Sequence, residues 1–327
     1  MGKPKGSAVS SSAAADAAGL MKKPEGDWQR STMKKADVDV LRAQGLLPSA
    51  DEVQVRLPGK ETFPTPRDGE RVCFADFVPR GFGFPMHDFV RGLLYAYGVQ
   101  IHDLTPNGVL SIASFIVLCE CFLGVAPHWG LWKSLFLVRK NVGKSGLTFP
   151  VGGFGIQVRG DTAYFAMKKS DSVQGWRRRW FYVQSAEDGL DAFDGRRGLR
   201  KTSAWAHPLS AVEKEAVRPL LMLLRELTET LGREAGGVFL MATFFRLRVR
   251  PLSARPYPMW AAEGVSDKPL DDEEVEANVR SITNLRAADA CNVKCPIAPY
   301  GAAKPVPEVS PFLLSSCTCS TGVYFVF

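Results

Sequence analysis

Histidine is scarce in this chain, and its placement argues against the metal sites that proteins most often build from it. The 327 residues include four histidines, and no two of them have His-x-x-x-His spacing. Zincin-type and integrase-type zinc sites depend on histidines at such short spacing. The four are His87, His102, His128 and His207. The sequence therefore indicates no metal site of either type.

A secretory leader and a convincing membrane span are also missing. The N-terminus has no apolar h-region, so we expect an intracellular chain, in the nucleus or the cytoplasm, with reduced cysteines. Residues 109–126 are almost all apolar, but Glu120 interrupts them and Pro127 closes the run. Their number is at the short limit for crossing a bilayer. We predict a helix buried in a soluble core and no membrane partner.

Two close cysteine pairs lie near the C-terminal end of the sequence. Cys291 and Cys295, with Cys317 and Cys319, could together supply four thiolates to a zinc ion. The alternative is that they are unpaired thiols, because no histidine completes a nucleic-acid knuckle pattern. We favour that alternative, and expect no metal and no cofactor.

Three other segments resemble functional motifs but lack an essential part. The Val-Gly-Lys-Ser segment at 142–145 resembles the end of a P-loop, yet Val138 stands where the loop needs a glycine. The Asp-Thr-Ala segment at 161–163 lacks the glycine of retroelement aspartic proteases and indicates a turn. The acidic run at 271–274 is explained by the N-terminus of a helix. We expect no catalytic residues and no small-molecule substrate.

Positive charge exceeds negative charge in this chain. There are 41 lysines and arginines against 34 acidic residues, which gives a formal net charge of +7 and a pI near 9.0. This balance permits binding to nucleic acid without demonstrating it. The hydrophobic fraction of 46% and the charged fraction of 23% are typical of a globular protein.

The composition and the positions of glycine and proline predict an α+β fold, mainly α-helical, with a small antiparallel β-sheet and a disordered N-terminal tail. The predicted units are a disordered tail at 1–33, a short helix and extended linker at 34–68, one domain at 69–290, and an irregular tail at 291–327. Within the domain we expect a helical part, a hairpin and sheet part at about 147–185, and a second helical part at about 210–288.

Local signals place the individual elements. The Thr105–Pro106 pair is a good helix start, and Ser210 with Glu213 fits a capping box. The predicted helices cover 36–44, 85–97, 106 to about 122, 129–136, 211–231 with a kink at Pro219, and 271–285, and helix is favoured at 238–250. Strands at 154–159 and 162–167 should form a hairpin across Gly160-Asp161, and residues 176–184 should form a third strand.

A basic and aromatic segment is the best functional candidate. In strand geometry Arg178 and Trp180 share one face, and Arg177 and Arg179 share the other. Aromatic rings could stack on bases while arginines hold phosphates. The candidate nucleic-acid-binding residues are Arg177, Arg178, Arg179, Trp180, Arg246, Arg248 and Arg250. The alternative is that one face is core and the arginines lie at its edge with packed stems.

A long series of short motifs resembles one known family. The motifs include Arg-Gly-Phe-Gly-Phe-Pro at 80–85, Leu-Thr-Pro-Asn at 104–107, Arg-Trp-Phe-Tyr-Val at 179–183, Arg-Pro-Leu at 218–220 and Pro-Met-Trp at 258–260. In this order they resemble the gypsy-type transposon domain found in many copies in plant genomes. The resemblance spans roughly residues 36–290 and implies a retrotransposon-derived or transposase-labelled protein, without naming a reaction.

The sequence thus favours a non-catalytic structural or nucleic-acid-associated factor of a transposable element. Two alternatives stay open: a recombinase-like or transposase-like enzyme, and a decayed or domesticated copy that makes only protein–protein contacts. The expected partners are nucleic acid, further copies of the chain, or other proteins encoded by the element.

Overall fold

Helices and two small sheets alternate along the described part of the chain. The computed structural model describes residues 26–240, apart from positions 45, 85, 124, 167–172, 185–191, 196–197, 207, 234–235 and 238–239. The α-helices in these residues are α1 Lys35–Ala43, α2 Asp88–Tyr97, α3 Pro106–Val117, α4 Trp129–Leu135 and α5 Ala211–Leu231. The strands are β1 Val55–Arg56, β2 Glu70–Phe74, β3 Phe136–Lys140, β4 Phe154–Val158 and β5 Trp180–Gln184. The predicted α+β class is confirmed.

Strand β5 is the centre of the larger sheet. It pairs antiparallel with β1 on one side and β2 on the other, so that Cys73 of β2 lies opposite Phe181. The smaller sheet is an antiparallel hairpin of β3 and β4, with Val138 opposite Ile156. Strand β3 begins at the residue after α4 ends, so this helix feeds directly into the hairpin.

Helix starts follow the capping signals in the sequence. The Thr105 hydroxyl accepts a hydrogen bond from the Gly108 N–H at 3.0 Å. The Ser210 hydroxyl accepts from the Glu213 N–H at 3.2 Å, and the Glu213 carboxylate accepts from the Ser210 N–H at 2.7 Å. Side-chain acceptors of this kind satisfy backbone donors that have no partner within the helix. The predicted starts of α3 and α5 are therefore confirmed.

The core is built around α3 and the π-helical turn Leu118–Leu123 that extends it. The side chains predicted to be buried there are at most 2% exposed. They are Leu110, Ile112, Ile116, Leu118, Cys119 and Phe122. Aromatic rings from the next helix and strand pack on this surface, with Trp132 4.2 Å from Phe136 and 5.3 Å from Phe115 between ring centroids. Among the described residues, no helix has the length and apolar character needed to cross a membrane.

The predicted hairpin across Gly160-Asp161 is wrong. Residues 162–166 form no strand, and β4 pairs with β3 instead. Residues 159–162 form a turn, closed where the Thr162 hydroxyl donates to the Arg159 carbonyl at 2.8 Å. Tyr164 and Phe165 beyond it are buried in the core. The sequence does not indicate β3 as the partner of β4, because β3 follows α4 without a turn residue between them.

The N-terminal boundaries also differ from prediction. The disordered tail was expected to reach residue 33, yet Trp28 is 2% exposed and Met33 is buried, so residues 26–33 are part of the packed structure. The predicted linker at 48–68 contributes β1, which pairs with β5. The predicted strand at 176–184 begins only at Trp180. Residues 1–25 and 241–327, including the predicted helix at 271–285 and the four C-terminal cysteines, lie outside the described residues.

A cluster of charged side chains fastens the 56–70 segment to β5. The guanidinium of Arg56 donates twice to the Glu70 carboxylate, each at 2.7 Å, and once to Glu61 at 3.0 Å. It also lies 3.7 Å from the ring centroid of Tyr182. The Tyr182 hydroxyl donates to Glu61 and accepts from the Thr65 N–H. This part-buried network closes the loop between β1 and β2 over the sheet.

The same contacts shift the pKa values of the side chains in this network. The hydrogen bonds from Arg56 lower the pKa of Glu70. Burial alone would raise the pKa of Glu61, but hydrogen bonds from Tyr182, Thr65 and Arg56 outweigh it and lower that pKa. Burial and the bond to Glu61 raise the pKa of Tyr182 to about 12. The network therefore holds both carboxyls ionised in the folded state.

Replacing Phe122 with alanine should lower the free energy of unfolding by roughly 3–5 kcal/mol, because the change removes a buried ring and leaves a cavity. Its ring centroid lies 6.0 Å from that of Phe165, which would lose a packing partner. Chemical denaturation of the parent and variant measures the difference. A negligible change would show that the turn after α3 is not part of the core.

Stability should fall in acid because of the Glu61–Glu70 network. Both carboxyls have a folded pKa below the ordinary 4.5, so their contribution is present above that value and is lost as pH falls through the folded pKa. Urea midpoints from about pH 6 to about pH 3 should fall more for the parent than for Glu61→Gln. Glu226→Gln, which alters an exposed carboxyl on α5, is the matched control. Equal pH dependence in the parent and Glu61→Gln would contradict this assignment.

Candidate nucleic-acid interface

The three consecutive arginines at 177–179 do not lie on a strand. Gly175 takes a left-handed conformation with φ 73°, and a 3-10 helix follows at Trp176–Arg178. A turn of this kind carries about three residues, so the two-residue alternation of a strand does not apply to it. The predicted division of the arginines between two sheet faces is therefore wrong, and each has a different environment.

Arg177 supports the structure. Its Nε donates to the Val151 carbonyl at 3.0 Å. Its guanidinium lies 4.8 Å from the ring centroid of Trp176 and 5.3 Å from that of Phe149. These contacts attach residues 149–151, which precede β4, to the 3-10 turn, and they leave the side chain only partly accessible.

Arg179 is occupied by an ion pair. Its Nη1 lies 3.2 Å from Asp76 Oδ1, and 43% of its side chain is exposed. Its backbone carbonyl accepts a hydrogen bond from the Ala75 N–H at 2.7 Å. Because the paired carboxylate offsets the positive charge, Arg179 is a weaker phosphate ligand than its exposure alone would indicate.

Trp180 lies in the core. It is 0% exposed, its Nε1 donates to the Gln29 carbonyl at 2.7 Å, and its ring meets Trp28 edge-on at 5.9 Å. The next three residues of β5 are also fully buried. A buried indole offers no face to a base, so the structure removes Trp180 from the candidate residues and gives it a packing role.

Arg178 is the exposed arginine of the three. Its Nε donates to Gln29 Oε1 at 2.8 Å, and its carbonyl accepts from the N–H of Thr32 at 2.7 Å and from the Thr32 hydroxyl at 3.1 Å. The Ser31 hydroxyl donates to the Trp180 carbonyl at 2.6 Å. These bonds lay residues 29–32 along the start of β5 and beside Arg178.

A cationic groove results from this arrangement. It is an open cleft of about 660 Å³, lined by Gln29, Arg30, Ser31, Thr32, Met33, Lys34 and Arg178. Arg30, Lys34 and Arg178 are all exposed, and no acidic residue lines the cleft. A second open cleft of about 430 Å³, lined by residues 63–71 and 192–195, contains both acidic and basic side chains. The cationic groove is therefore the better site for an anionic ligand.

Sequence reasoning found only one of the three cations in the groove. The predicted disordered tail at 1–33 excludes Arg30, and the predicted boundary at residue 34 gives Lys34 no functional role. The signal that could have found them is Trp28, a large aromatic residue in an otherwise small and polar segment. The predicted second cluster of Arg246, Arg248 and Arg250 lies outside the described residues.

The other candidate motifs acquire plain structural roles. The Val-Gly-Lys-Ser segment at 142–145 lies at the end of the β3–β4 hairpin, and no helix follows it. Cys73 is fully buried, and this burial raises the pKa of its thiol, so it is poorly reactive. Across the described part of the chain, no group of three or more histidine, cysteine or acidic side chains is placed to hold a metal ion.

Comparison with known protein families gives a match over part of the chain. Residues 72–140 match the model of a family described as "Putative gypsy type transposon". This segment begins within β2 and includes α2, α3, α4 and β3, so the family resemblance is confirmed for this part of the structure. No curated protein and no solved structure gives a significant match.

Proposed function

We propose that this transposon-related protein binds nucleic acid through the cationic groove and acts as a non-catalytic factor of its element, inside the cell. The observation that carries the proposal is that Arg30, Lys34 and Arg178 line one open cleft whose lining contains no acidic residue. Phosphate groups are the ligands that such a surface attracts, and the net charge of +7 adds a long-range contribution of the same sign.

The groove is accessible to the phosphate backbone of a nucleic acid. Its cations are on the surface, while the segment that carries Arg30 and Lys34 is fixed by the hydrogen bonds of Ser31 and Thr32 to the start of β5. A positioned row of cations loses less conformational freedom on binding than an unstructured basic tail. Contacts to phosphate alone carry no sequence information, so we expect weak sequence preference at this site.

Substitution of all three cations should weaken binding to every nucleic-acid sequence. The logarithm of the binding constant falls linearly with the logarithm of the salt concentration, and each phosphate contact contributes about 0.9 to this slope on duplex DNA and about 0.7 on a single strand. The triple variant Arg30→Gln, Lys34→Gln, Arg178→Gln should therefore flatten the slope by up to about 2.7 on the duplex and by up to about 2.1 on the single strand. Fluorescence anisotropy with labelled DNA and RNA at several salt concentrations measures both affinity and slope.

A charge-matched variant separates this site from general electrostatics. Lys60, Lys214 and Arg225 are exposed and do not line the groove. Their triple glutamine variant loses the same charge and should bind almost as the parent does. If the groove variant and this control weaken binding equally, or if the groove variant has the affinity and slope of the parent, the cationic groove is not the binding site.

The protein should show no metal-dependent cleavage or strand transfer. Such chemistry uses acidic groups that converge on metal ions, and no such convergence is present in the described residues. Incubation of the full chain with supercoiled plasmid and Mg²⁺ or Mn²⁺ should leave the plasmid intact. Reproducible cleavage that one carboxylate substitution abolishes would replace this proposal with the enzymatic alternative.

A further inference from the structure

The β3–β4 hairpin lies in the most one-sidedly charged part of the described chain. Residues 121–160 contain no aspartate or glutamate. The same stretch contains the cations Lys133, Arg139, Lys140, Lys144 and Arg159. Over the whole chain acidic residues are nearly as frequent as basic ones, 34 against 41, so their absence over 40 successive positions leaves the cations of this ribbon without an acidic neighbour in sequence. Lys133 lies on α4 and Arg159 follows β4, so the cations of the ribbon itself are Arg139, Lys140 and Lys144. Lys140 Nζ donates to the Leu199 carbonyl at 2.7 Å, whereas Arg139 and Lys144 are exposed.

The end of the hairpin has a defined shape. The Gly143 carbonyl accepts from the Gly146 N–H at 2.9 Å, and the Gly143 N–H donates to the Leu147 carbonyl at 2.9 Å. Gly146 has φ 76°, as expected for a turn closed by a glycine in the left-handed region. Val142 pairs with Thr148 across the turn. The residues at 142–148, which we term the hairpin tip, are thus held by backbone hydrogen bonds.

Two aliphatic side chains are exposed at the hairpin tip. Val142 is 52% exposed and Leu147 is 69% exposed, and Lys144 between them in sequence is also on the surface. Large apolar side chains left in water at the end of a cationic ribbon favour a ligand that is anionic outside and apolar within. Stacked base pairs behind a phosphate backbone have this character.

The segment between the hairpin tip and β4 is anchored beside the residues that line the cationic groove. The Asn141 amide donates to the Gly152 carbonyl at 2.9 Å, and the Val151 N–H donates to the Gly26 carbonyl at 3.0 Å. Arg177 donates to the Val151 carbonyl and precedes Arg178 of the groove. The hairpin is therefore attached to the two chain segments that form the cationic groove.

We propose that the hairpin tip is a wedge for double-stranded DNA, with Leu147 and Val142 entering the minor groove while the cations of the ribbon meet the flanking phosphates. This inference rests on the proposed nucleic-acid binding and names the duplex as the ligand. Apolar wedges of this kind partly unstack a base step and kink the helix by about 20–90°. An anionic membrane is the weaker candidate, because two aliphatic side chains bury too little apolar surface for stable anchoring.

The test compares two double variants of the full chain. Val142→Ser, Leu147→Ser removes the wedge without changing charge, and Val212→Ser, Met222→Ser is the matched control, since those side chains are 79% and 66% exposed on α5. Bending is measured by energy transfer across an end-labelled duplex of about 30 base pairs with a central, flexible TA step. Binding to the single strand and to phosphatidylserine vesicles is measured in parallel.

We expect the parent and control to bend the duplex, and the wedge variant to lose the bend while it keeps its single-strand affinity and its salt slope. An unbent duplex with the parent, or equal bending by the wedge variant, would overturn the inference and leave the cationic groove as the binding site. Tip-dependent binding to vesicles without duplex bending would also overturn it. If the groove variant described above binds as the parent does, the groove proposal fails, whatever the wedge variant does.

Discussion

The cationic groove on the surface of this protein depends on the packing of Trp28 in the core. Its indole is 2% exposed and lies over Phe74 with 5.9 Å between ring centroids, and its Nε1 donates to the Gly195 carbonyl at 3.0 Å. Removal of so large an aromatic surface from water supplies much of the free energy that holds residues 26–34 against the rest of the structure. Residues 29–34 then follow the start of β5, and the cationic groove exists only because they do.

The burial of the central strand explains why the proposed binding surfaces lie at the edges of the sheet. Residues 180–183 of β5 are fully buried, so neither face of the strand is available to a ligand. Its aromatic side chains stabilise the fold, and polar recognition is left to the turn that precedes it and to the segments packed on it. Arg177 and Arg179 flank Arg178 and are fixed by the Val151 carbonyl and Asp76, which leaves Arg178 as the exposed cation of the turn.

Local signals predicted much of the helical structure but little of the strand pairing. Thr105 and Ser210 mark helix starts because a capping bond depends only on the next three residues. The pairing of β3 with β4 depends on residues that follow α4 directly, and the Gly160-Asp161 pair gave a stronger local turn signal at the wrong place. For the site, Arg178 could be predicted from the basic and aromatic pattern of its segment, whereas Arg30 and Lys34 depend on the tertiary contact of Trp28, of which the sequence shows only a large aromatic residue in a polar segment.

Arg177 connects the turn that carries Arg178 of the cationic groove to the chain segment that follows the hairpin tip. The guanidinium of Arg177 contacts the rings of Trp176 and Phe149, and its Nε donates to the Val151 carbonyl. These contacts fix the segment between the hairpin tip and β4 to the turn that presents Arg178. A ligand that met both the groove and the hairpin tip would meet elements already attached to each other, so less conformational entropy would be lost on binding. In the proposed binding site Arg177 is therefore a positioning residue, which acts through the structure it maintains and not through its charge.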